Sequence, residues 1–270
     1  MIGTIIGDIV GSRFETEKAE NHEFELFGDG CHFTDDTVLV LAVAKAIKDC
    51  EGNYASLQSK TVEYMRQFVK KYPRAGYGGK FSVWANSETP EPYNSCGNGA
   101  AMRVCAVGLI SETPEQVKDL TYKVTSITHN HPEGLRGAEA TAMCVYLAHK
   151  GATKQEIYDC INQNYYQLNQ NYSQIKAVYT PSPLCQGTVP QAVVCFLESE
   201  SYEEAIRNAV ALGGDSDTLA AITGAISEAF YGVPKDLRKK GLSYLDEELK
   251  QILIETENYI SAINRVGELD

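Results

Sequence analysis

Two short segments combine hydroxyl and carboxylate side chains closely enough to bind a cation. The first is FTDDT at residues 33–37, and the second is GGDSDT at residues 213–218. Taken singly, each is explained by helix capping, because Thr, Ser and Asp accept hydrogen bonds from the free N–H groups of a first turn. Capping uses one or two oxygens, whereas each segment offers three or four ahead of a strongly apolar stretch. Clustered carboxylates in such surroundings repel one another unless a cation neutralises them.

The oxygen-only character of both segments favours a hard cation over zinc or copper. Carboxylate, hydroxyl and water oxygens are the ligands of Mg²⁺, Mn²⁺ and Ca²⁺. If the fold brings the segments together, they could hold two ions and leave positions for water, which is the arrangement of a two-metal hydrolytic site. The predicted ligands are Thr34, Asp35, Asp36, Asp215, Asp217 and Thr218.

The N-terminal segment GDIVGSRFE supplies a third acidic element. Gly7 and Gly11 are spaced i and i+4, so another helix could pack closely against them. For Asp8 a buried, hydrogen-bonded carboxylate is favoured over a metal ligand. Glu15 follows at the point where the chain leaves this helix toward solvent. It could therefore act as a general base or hold the substrate.

Two further segments could bind a ligand. SCGNGAAMR at residues 95–103 is a glycine-rich turn before a predicted helix, and such turns present N–H groups to phosphate or ribose, although a plain loop-to-helix joint is an equal alternative. THNHPEG at residues 128–134 carries two histidines at i and i+2, which point in different directions and disfavour a zinc pair. We expect His129 to contact ligand and His131 to be structural.

The longest predicted irregular region, residues 73–97, concentrates glycine, proline and aromatic residues, including the only tryptophan. A loop of this length in a compact domain is usually functional or mobile, so we expect it to form one wall of the ligand site. Tyr77, Phe81 and Trp84 are available there for stacking on a base, or equally for the core.

The elements that must position these residues are helices. Apolar residues recur with helical period along most of the chain, and the apolar N-terminus is best absorbed into a helix as well. Without internal repeats or a composition break, the sequence predicts one all-α domain over residues 1–270. The predicted helices span residues 35–48, 55–71, 98–111, 114–128, 133–149, 153–168, 188–199, 201–212, 216–230 and 244–264.

Composition narrows the function. A formal net charge of −12 argues against a general nucleic-acid or anionic-membrane surface. The eight cysteines include no C-x-x-C pair and fit reduced core residues better than disulfides or zinc ligands. The N-terminus lacks the basic region of a signal peptide, and no run approaches the roughly 18–20 apolar residues of a membrane span. A cytoplasmic protein is expected.

Together these motifs resemble the ADP-ribosylglycohydrolase family, which includes the dinitrogenase reductase-activating glycohydrolases and the ADP-ribosyl-acceptor hydrolases. The resemblance covers roughly residues 1–232 and implies an orthogonal multi-helix bundle with a binuclear Mg²⁺ or Mn²⁺ centre. It implies the same six metal ligands, with Glu15 gating or touching the centre. The motifs are GDIVGSRFE, FTDDT, GYGG, CGNGAAMRV, THNHPEG, CQGTVPQAV and GGDSDTLAAITGAI.

The resemblance also implies a substrate and a mechanism. ADP-ribose would bind with its ribose hydroxyls toward the ions, and water would attack the anomeric carbon while Glu15 or Asp35 accepts a proton. The substrate-binding residues would be Gly97, Asn98, Gly99, Met102, His129 and Tyr77.

Four questions stay open at the level of sequence. A non-catalytic or crystallin-like relative and a metal-dependent nucleotide phosphohydrolase are alternative functions. The acceptor is undetermined, since arginine-, serine- and nucleic-acid-linked substrates share the same ADP-ribosyl half. Oligomeric state is open, and so is the role of residues 233–270, which are expected to pack on the core.

Overall fold

The chain folds into helices throughout the part that the computed structural model describes, which is residues 1–15, 19 and 21–267. Within those residues the only β-type pairing is an isolated antiparallel bridge between Gly97 and Leu184. The all-α prediction is therefore confirmed. The helices are α1 Ile2–Ser12, α2 Asp35–Lys48, α3 Leu57–Lys71, α4 Gly79–Asn86, α5 Cys105–Ile110, α6 Pro114–Thr125, α7 Pro132–His149, α8 Lys154–Asn164, α9 Tyr172–Val178, α10 Cys185–Leu197, α11 Tyr202–Leu212, α12 Ser216–Tyr231, α13 Lys235–Leu242 and α14 Glu247–Gly267.

The centre of the bundle is the contact between α1 and α12. Every residue of α1 is buried, as are residues 216–227 of α12. The two backbones touch because α1 presents glycines to its partner. A Cβ atom on Gly7 would lie 2.1 Å from the Ala220 carbonyl oxygen, and one on Gly11 would lie 2.4 Å from the Ser216 carbonyl oxygen. The close packing predicted from the i, i+4 glycines is confirmed.

Helix α2 is the second buried rod, with its residues 36–44 all shielded from solvent. Helix α14 packs on α2 and α5 and buries Leu249 and Leu253 completely. The expectation that the C-terminal segment packs on the core is thus confirmed. No helix among the described residues has both the length and the apolar character needed to cross a membrane.

The structure corrects the predicted helix boundaries in two places near the ligand site. Residues 73–97 are not wholly irregular, because α4 lies inside them and buries Phe81 and Trp84. This helix is short, and Gly78 at its N-cap position provides no side-chain cap, so it leaves little signal in sequence. Residues 98–111 do not form one helix: a single 3₁₀ turn at Asn98–Ala100 precedes α5. Side-chain bonds from Asn98 to other elements hold that turn apart from the helix.

Three smaller differences follow from weak periodicity. The predicted helix 153–168 ends at Asn164, and two short helices, α9 and α13, were not expected at all. Each of the two has one or two buried positions, which is too few for an apolar period to stand out in sequence.

The eight cysteines are free thiols, five of them buried.

Candidate active site

The two acidic segments meet at the N-terminal ends of α2 and α12. Thr218 Oγ1 donates to Asp36 Oδ1 at 3.3 Å, and Thr34 Oγ1 lies 3.5 Å from Asp217 Oδ2. Although 182 residues separate Thr218 from Asp36, the packing of α1 against both helices brings the segments together. The clustered oxygens therefore share one site.

Asp8 anchors the first segment from the side of α1. It is fully buried and accepts four hydrogen bonds, from the backbone N–H and hydroxyl of Thr34 and from those of Thr37, at 2.5–3.1 Å. Burial raises the pKa of Asp8, and these four donors oppose the rise. As expected from the sequence, Asp8 is a buried structural carboxylate that holds the first turn of α2 in place.

Burial and mutual repulsion disfavour the ionised form of the carboxyl groups in the site. Asp36 is 1% exposed and Asp217 is 6% exposed. Burial, and then repulsion from Asp8 and Asp35, raises the pKa of Asp36 well above its usual value. Burial and repulsion from Asp36 do the same to the pKa of Asp217. The pKa of Asp35 is raised to about 7, again mainly by burial. These carboxyl groups can therefore ionise together near neutral pH only if a positive counter-charge is present.

The chemistry of this donor set fits hard divalent cations, since it offers carboxylate and hydroxyl oxygens and no sulfur. Asp36 Oδ2 is buried and has no hydrogen-bond partner among the described residues. One observation points the other way: across those residues, acidic, histidine and cysteine groups do not form a ready-made cluster of three for a metal ion. The buried carboxyl groups nevertheless favour a bound cation. Side-chain torsions adjust at small cost, whereas buried like charges need neutralising.

A cleft of about 760 Å³ opens above the two acidic segments. All six predicted metal ligands line it. Glu15, an exposed residue, also lines the cleft, and its hydrogen bond to Asp217 further raises the pKa of that carboxyl group. Five of the six predicted substrate-binding residues line the same cleft, namely Gly97, Asn98, Gly99, Met102 and His129.

The glycine-rich turn is tied directly to the second acidic segment. Asn98 Nδ2 donates to Asp215 Oδ2 at 2.7 Å and lies 3.1 Å from Thr188 Oγ1. The turn offers fewer free N–H groups than its sequence suggests, because Gly97 N–H donates to Ser95 and Asn98 N–H donates to the Pro183 carbonyl oxygen. Among the described residues, the Gly99 N–H has no such acceptor. The Gly99 N–H is therefore available to a ligand.

His129 faces the turn from the opposite wall and is 5% exposed. Its Nε2 lies 3.6 Å from where a Cβ atom would stand on either Gly97 or Gly99. Its Nδ1 lies 2.7 Å from Thr128 Oγ1, which accepts from Arg103 Nη2 at 2.5 Å. Arg103 Nη2 also lies 3.4 Å from His129 Nδ1, and because a guanidinium only donates, Nδ1 faces it as an acceptor. This places the imidazole N–H on Nε2, toward the cleft.

Burial and the nearby Arg103 lower the pKa of His129 well below its usual value, so the ring is neutral near pH 7. His131, in contrast, caps α7 by accepting a hydrogen bond from the Glu133 N–H at 3.1 Å. The expected division between a ligand-facing and a structural histidine agrees with these positions.

Sequence reasoning did not single out Arg103 as a site residue. This arginine is completely buried, lines the cleft and forms no ion pair within the described residues. Burial lowers its pKa to about 10. The available signal was an arginine inside an apolar stretch, AAMRVCAV, with no acidic residue nearby in sequence.

Tyr77 is the one predicted substrate-binding residue that does not line the cleft. Its ring packs against Phe81 with centroids 5.7 Å apart, and its hydroxyl is buried. Phe81 does line the cleft, whereas Trp84 stacks behind Phe81 at 5.4 Å and is 3% exposed. Tyr93, which lies 5.8 Å from the His129 ring, is a further aromatic of the wall. The aromatic residues therefore divide into a core group and a cleft group.

The chain matches the sequence profile of the ADP-ribosylglycohydrolase family over residues 1–264. The chain belongs to the ADP-ribosylglycohydrolase family. This membership makes it a hydrolase that acts on glycosyl bonds. The match extends well beyond the roughly 232 residues covered by the motifs, and includes most of α14.

Individual relatives are distant. The chain is 25% identical to the ADP-ribosylhydrolase ARH3 of Homo sapiens, over 86% of this chain and 84% of that protein. It is 24% identical to the ADP-ribosylarginine hydrolase Tri1 of Pseudomonas putida, over 94% and 76%. It is 23% identical to the ADP-ribosyl-[dinitrogen reductase] glycohydrolase of Rhodospirillum rubrum, over 100% and 95%.

A solved structure described as an ADP-ribosylglycohydrolase-related protein complex superposes with a TM-score of 0.72. It is 20% identical and covers 96% of this chain and 95% of its own. At this identity the likeness establishes the fold, so the helical architecture expected from the motifs is confirmed.

Proposed function

We propose that this protein hydrolyses the glycosidic bond between ADP-ribose and a modified acceptor, most simply a protein side chain, with two Mg²⁺ or Mn²⁺ ions as cofactors. The observation that carries the proposal is the convergence of two acidic segments on the floor of the 760 Å³ cleft, where Asp36 and Asp217 are buried with raised pKa values. Buried carboxylates facing a cleft are typical of a functional site, because unused ones destabilise the fold.

The six residues Thr34, Asp35, Asp36, Asp215, Asp217 and Thr218 would hold the ions. When bound, the ions would orient the ribose hydroxyls and stabilise the charge that develops as the bond breaks. Asp8 keeps the first turn of α2 in register, and Asn98 keeps Asp215 in place. Both contacts preorganise the donor set, which is how protein electrostatics contribute most to catalysis.

The diphosphate would lie along the wall formed by the glycine-rich turn. Gly99 and His129 line the same part of the cleft, and the Gly99 N–H and the His129 Nε2–H are both available there as donors. Because the imidazole is neutral near pH 7, its protonation state does not change there. Its Nε2–H can therefore donate steadily to an anionic oxygen. Phe81 and Tyr93 line the cleft and provide ring faces for the adenine.

Hydrolysis requires a group that takes a proton from the attacking water. Glu15 and Asp35 both line the cleft, and both are carboxylates. Glu15 is solvent-exposed and so can pass the proton onward, whereas Asp35 would lie beside the ions and so close to the attacking water. The pH profile of kcat is measured for separate Glu15→Gln and Asp35→Asn variants. The residue whose replacement removes the acidic limb of the profile is the one that takes the proton.

The test measures release of free ADP-ribose from arginine- and serine-linked ADP-ribosylated proteins in EDTA, Mg²⁺ and Mn²⁺. Asp215→Ala is compared with wild type and with Asp159→Ala, an exposed aspartate of α8 that serves as the matched control. We expect metal-dependent release that is lost only in Asp215→Ala. Release of AMP or phosphate would replace the proposal with a phosphohydrolase. No release from either substrate in any metal would replace it with a binding or structural role.

A further inference from the structure

A second cavity of about 590 Å³ adjoins the cleft. Its volume lies within the range of small-molecule pockets, about 300–1,000 Å³. Three aromatic residues, Phe33, Tyr72 and Tyr244, contribute to its wall. His32, Arg74 and Ala75 line both this cavity and the cleft, so the two spaces adjoin at these three residues. We call this second space the aromatic cavity.

The aromatic cavity lies next to the first acidic segment, whereas the glycine-rich turn lies next to the second. The Ala75 carbonyl oxygen accepts from the Asp35 N–H at 2.7 Å, which fixes the shared wall beside the first acidic segment. The glycine-rich turn, in contrast, is fixed beside the second segment by the 2.7 Å bond from Asn98 to Asp215. The carboxylates therefore lie between the two walls.

The shape of ribose determines where the acceptor would point in this arrangement. Its 2- and 3-hydroxyls lie on one edge of the ring, while the C1 and C4 substituents leave on either side of the ring oxygen. With the hydroxyl edge over the carboxylates and the diphosphate on C5 directed to Gly99 and His129, the group on C1 points toward the opposite wall. That group is the acceptor, and the wall is the one formed by His32, Arg74 and Ala75.

We propose that the aromatic cavity is the acceptor subsite and that it binds a large apolar or aromatic side chain next to the ADP-ribosylated residue of a polypeptide. This inference rests on the proposed hydrolysis and adds the class of acceptor. Acceptors without such a neighbour are cleaved with lower kcat/KM, since they leave the cavity unfilled.

The rings of the cavity are held in place before any acceptor binds. Phe33 and Tyr72 meet edge to face with centroids 6.1 Å apart. Tyr244 stacks on Phe27 at 5.6 Å and has the Lys240 ammonium 5.7 Å above its ring. A preformed apolar wall binds a side chain without the entropy cost of ordering its own residues. A flexible surface would give no such preference.

The charges around the cavity restrict its occupant further. Lys71, on the rim, forms an ion pair with Glu248, so its charge is already balanced. Arg74 is exposed at the junction of the two spaces and has no carboxylate partner among the ion pairs of the described residues. An acceptor with an additional acidic residue at that junction would bind more tightly, whereas an acceptor with a basic residue there would be repelled by Arg74.

The experiment compares two synthetic peptides, each ADP-ribosylated on one arginine, that differ in having Phe or Gly on both sides of that arginine. The measured quantity is the ratio of kcat/KM for the Phe peptide to that for the Gly peptide, within one enzyme preparation. Partial unfolding lowers both values equally and leaves the ratio unchanged. If arginine linkages prove inert, serine-linked peptides of the same design replace them.

We expect wild type to prefer the Phe peptide roughly 10-fold, which is the discrimination a well-formed apolar pocket provides. Tyr244→Ala should bring the ratio close to one, and Tyr244→Phe, which keeps the ring, should preserve it. Tyr122→Ala is the matched control, because Tyr122 is an exposed aromatic of α6 that lines neither space.

Two failures are distinguishable. A wild-type ratio of one, or a ratio that Tyr244→Ala does not change, overturns the acceptor subsite while hydrolysis itself stands. Absence of ADP-ribose release from the arginine-linked and also from the serine-linked peptides overturns the proposed hydrolysis, and the subsite is overturned with it.

Discussion

The two acidic segments begin similar buried helices but are held in place differently. In the first, Thr34 acts as an ordinary N-cap, since its side chain accepts from the Asp36 N–H. In the second, Asp215 stands at the N-cap position and makes no capping bond. Two glycines with φ near +82° and +83°, Gly213 and Gly214, turn the chain into α12 instead. Capping therefore explains Thr34 and leaves Asp215 free for another role.

Helix α1 supports both segments, again in different ways. Asp8 binds the first segment through four hydrogen bonds. Gly11 allows the second segment to approach, since a Cβ atom there would lie 2.5 Å from Asp217 Cα. The attachment at Asp8 is polar and depends on hydrogen bonds. The attachment at Gly11 is steric and depends on the absence of a side chain. Helix α1 therefore positions both acidic segments but uses a charged side chain for only the first of them.

The largest expected effect comes from removing charge where the segments meet. Asp36→Asn and Asp217→Asn should each lower ADP-ribose release by about 100- to 1,000-fold, because a preorganised charge that acts on the reacting bond is lost. In EDTA both variants should melt at a higher temperature than wild type, since each removes a buried repulsion. Asp159→Asn is the control for both measurements. Equal melting temperatures in EDTA would contradict the repulsion argument.

The polar attachment is tested by Asp8→Ala. The variant leaves the buried N–H groups of Thr34 and Thr37 without acceptors, which should cost about 2–3 kcal/mol of unfolding free energy. Urea unfolding in EDTA measures this value. Asp8→Asn is the informative neighbour, because its amide oxygen can still accept from part of the donor set and should restore some stability. A loss below about 1 kcal/mol in Asp8→Ala would show that the first segment keeps its shape unaided.

The steric attachment is tested by Gly11→Ala, which should destabilise the protein by about 2 kcal/mol because the new methyl group meets the α12 backbone. Gly79→Ala is the matched control: a Cβ atom there meets nothing within 4 Å. Thermal unfolding of the two variants should therefore differ in sign or size. Equal effects would show that the helices can separate without loss, and that the second segment is not fixed by this contact.

The smallest expected effect concerns the wall opposite the acidic segments, where burial disfavours a positive charge instead. The pKa of His129 is lowered in the folded state, so the unfolded chain binds its proton first as pH falls. Stability is therefore full above the usual histidine pKa, about 6.5, and is lost below it by up to about 1.4 kcal/mol per pH unit. His129→Gln should reduce that acid slope in denaturant titrations between pH 7 and pH 5. An unchanged slope would assign the acid sensitivity to other groups.

Much of the fold followed from the sequence because long buried helices leave a strong period. The boundaries of α2 were predicted at residues 35–48, where the structure has them. The capping box at the start of α8 was likewise legible, since Thr153 and Glu156 satisfy each other's orphan groups locally. Short helices such as α4 were missed, because their few buried residues take their partners from elsewhere in the chain.

The sequence by itself determined the helical class, the acidic segments and the family, since local composition and motif order encode all three. Only the tertiary structure decided which atoms face the cleft. It packed Tyr77 against Phe81 and not along the cleft, showed that Arg103 is a buried donor to Thr128, and placed an aromatic cavity beside Ala75. These outcomes depend on contacts between residues that are distant along the chain. Periodicity specifies which side of a helix is buried, but the packing of other elements specifies what that side meets.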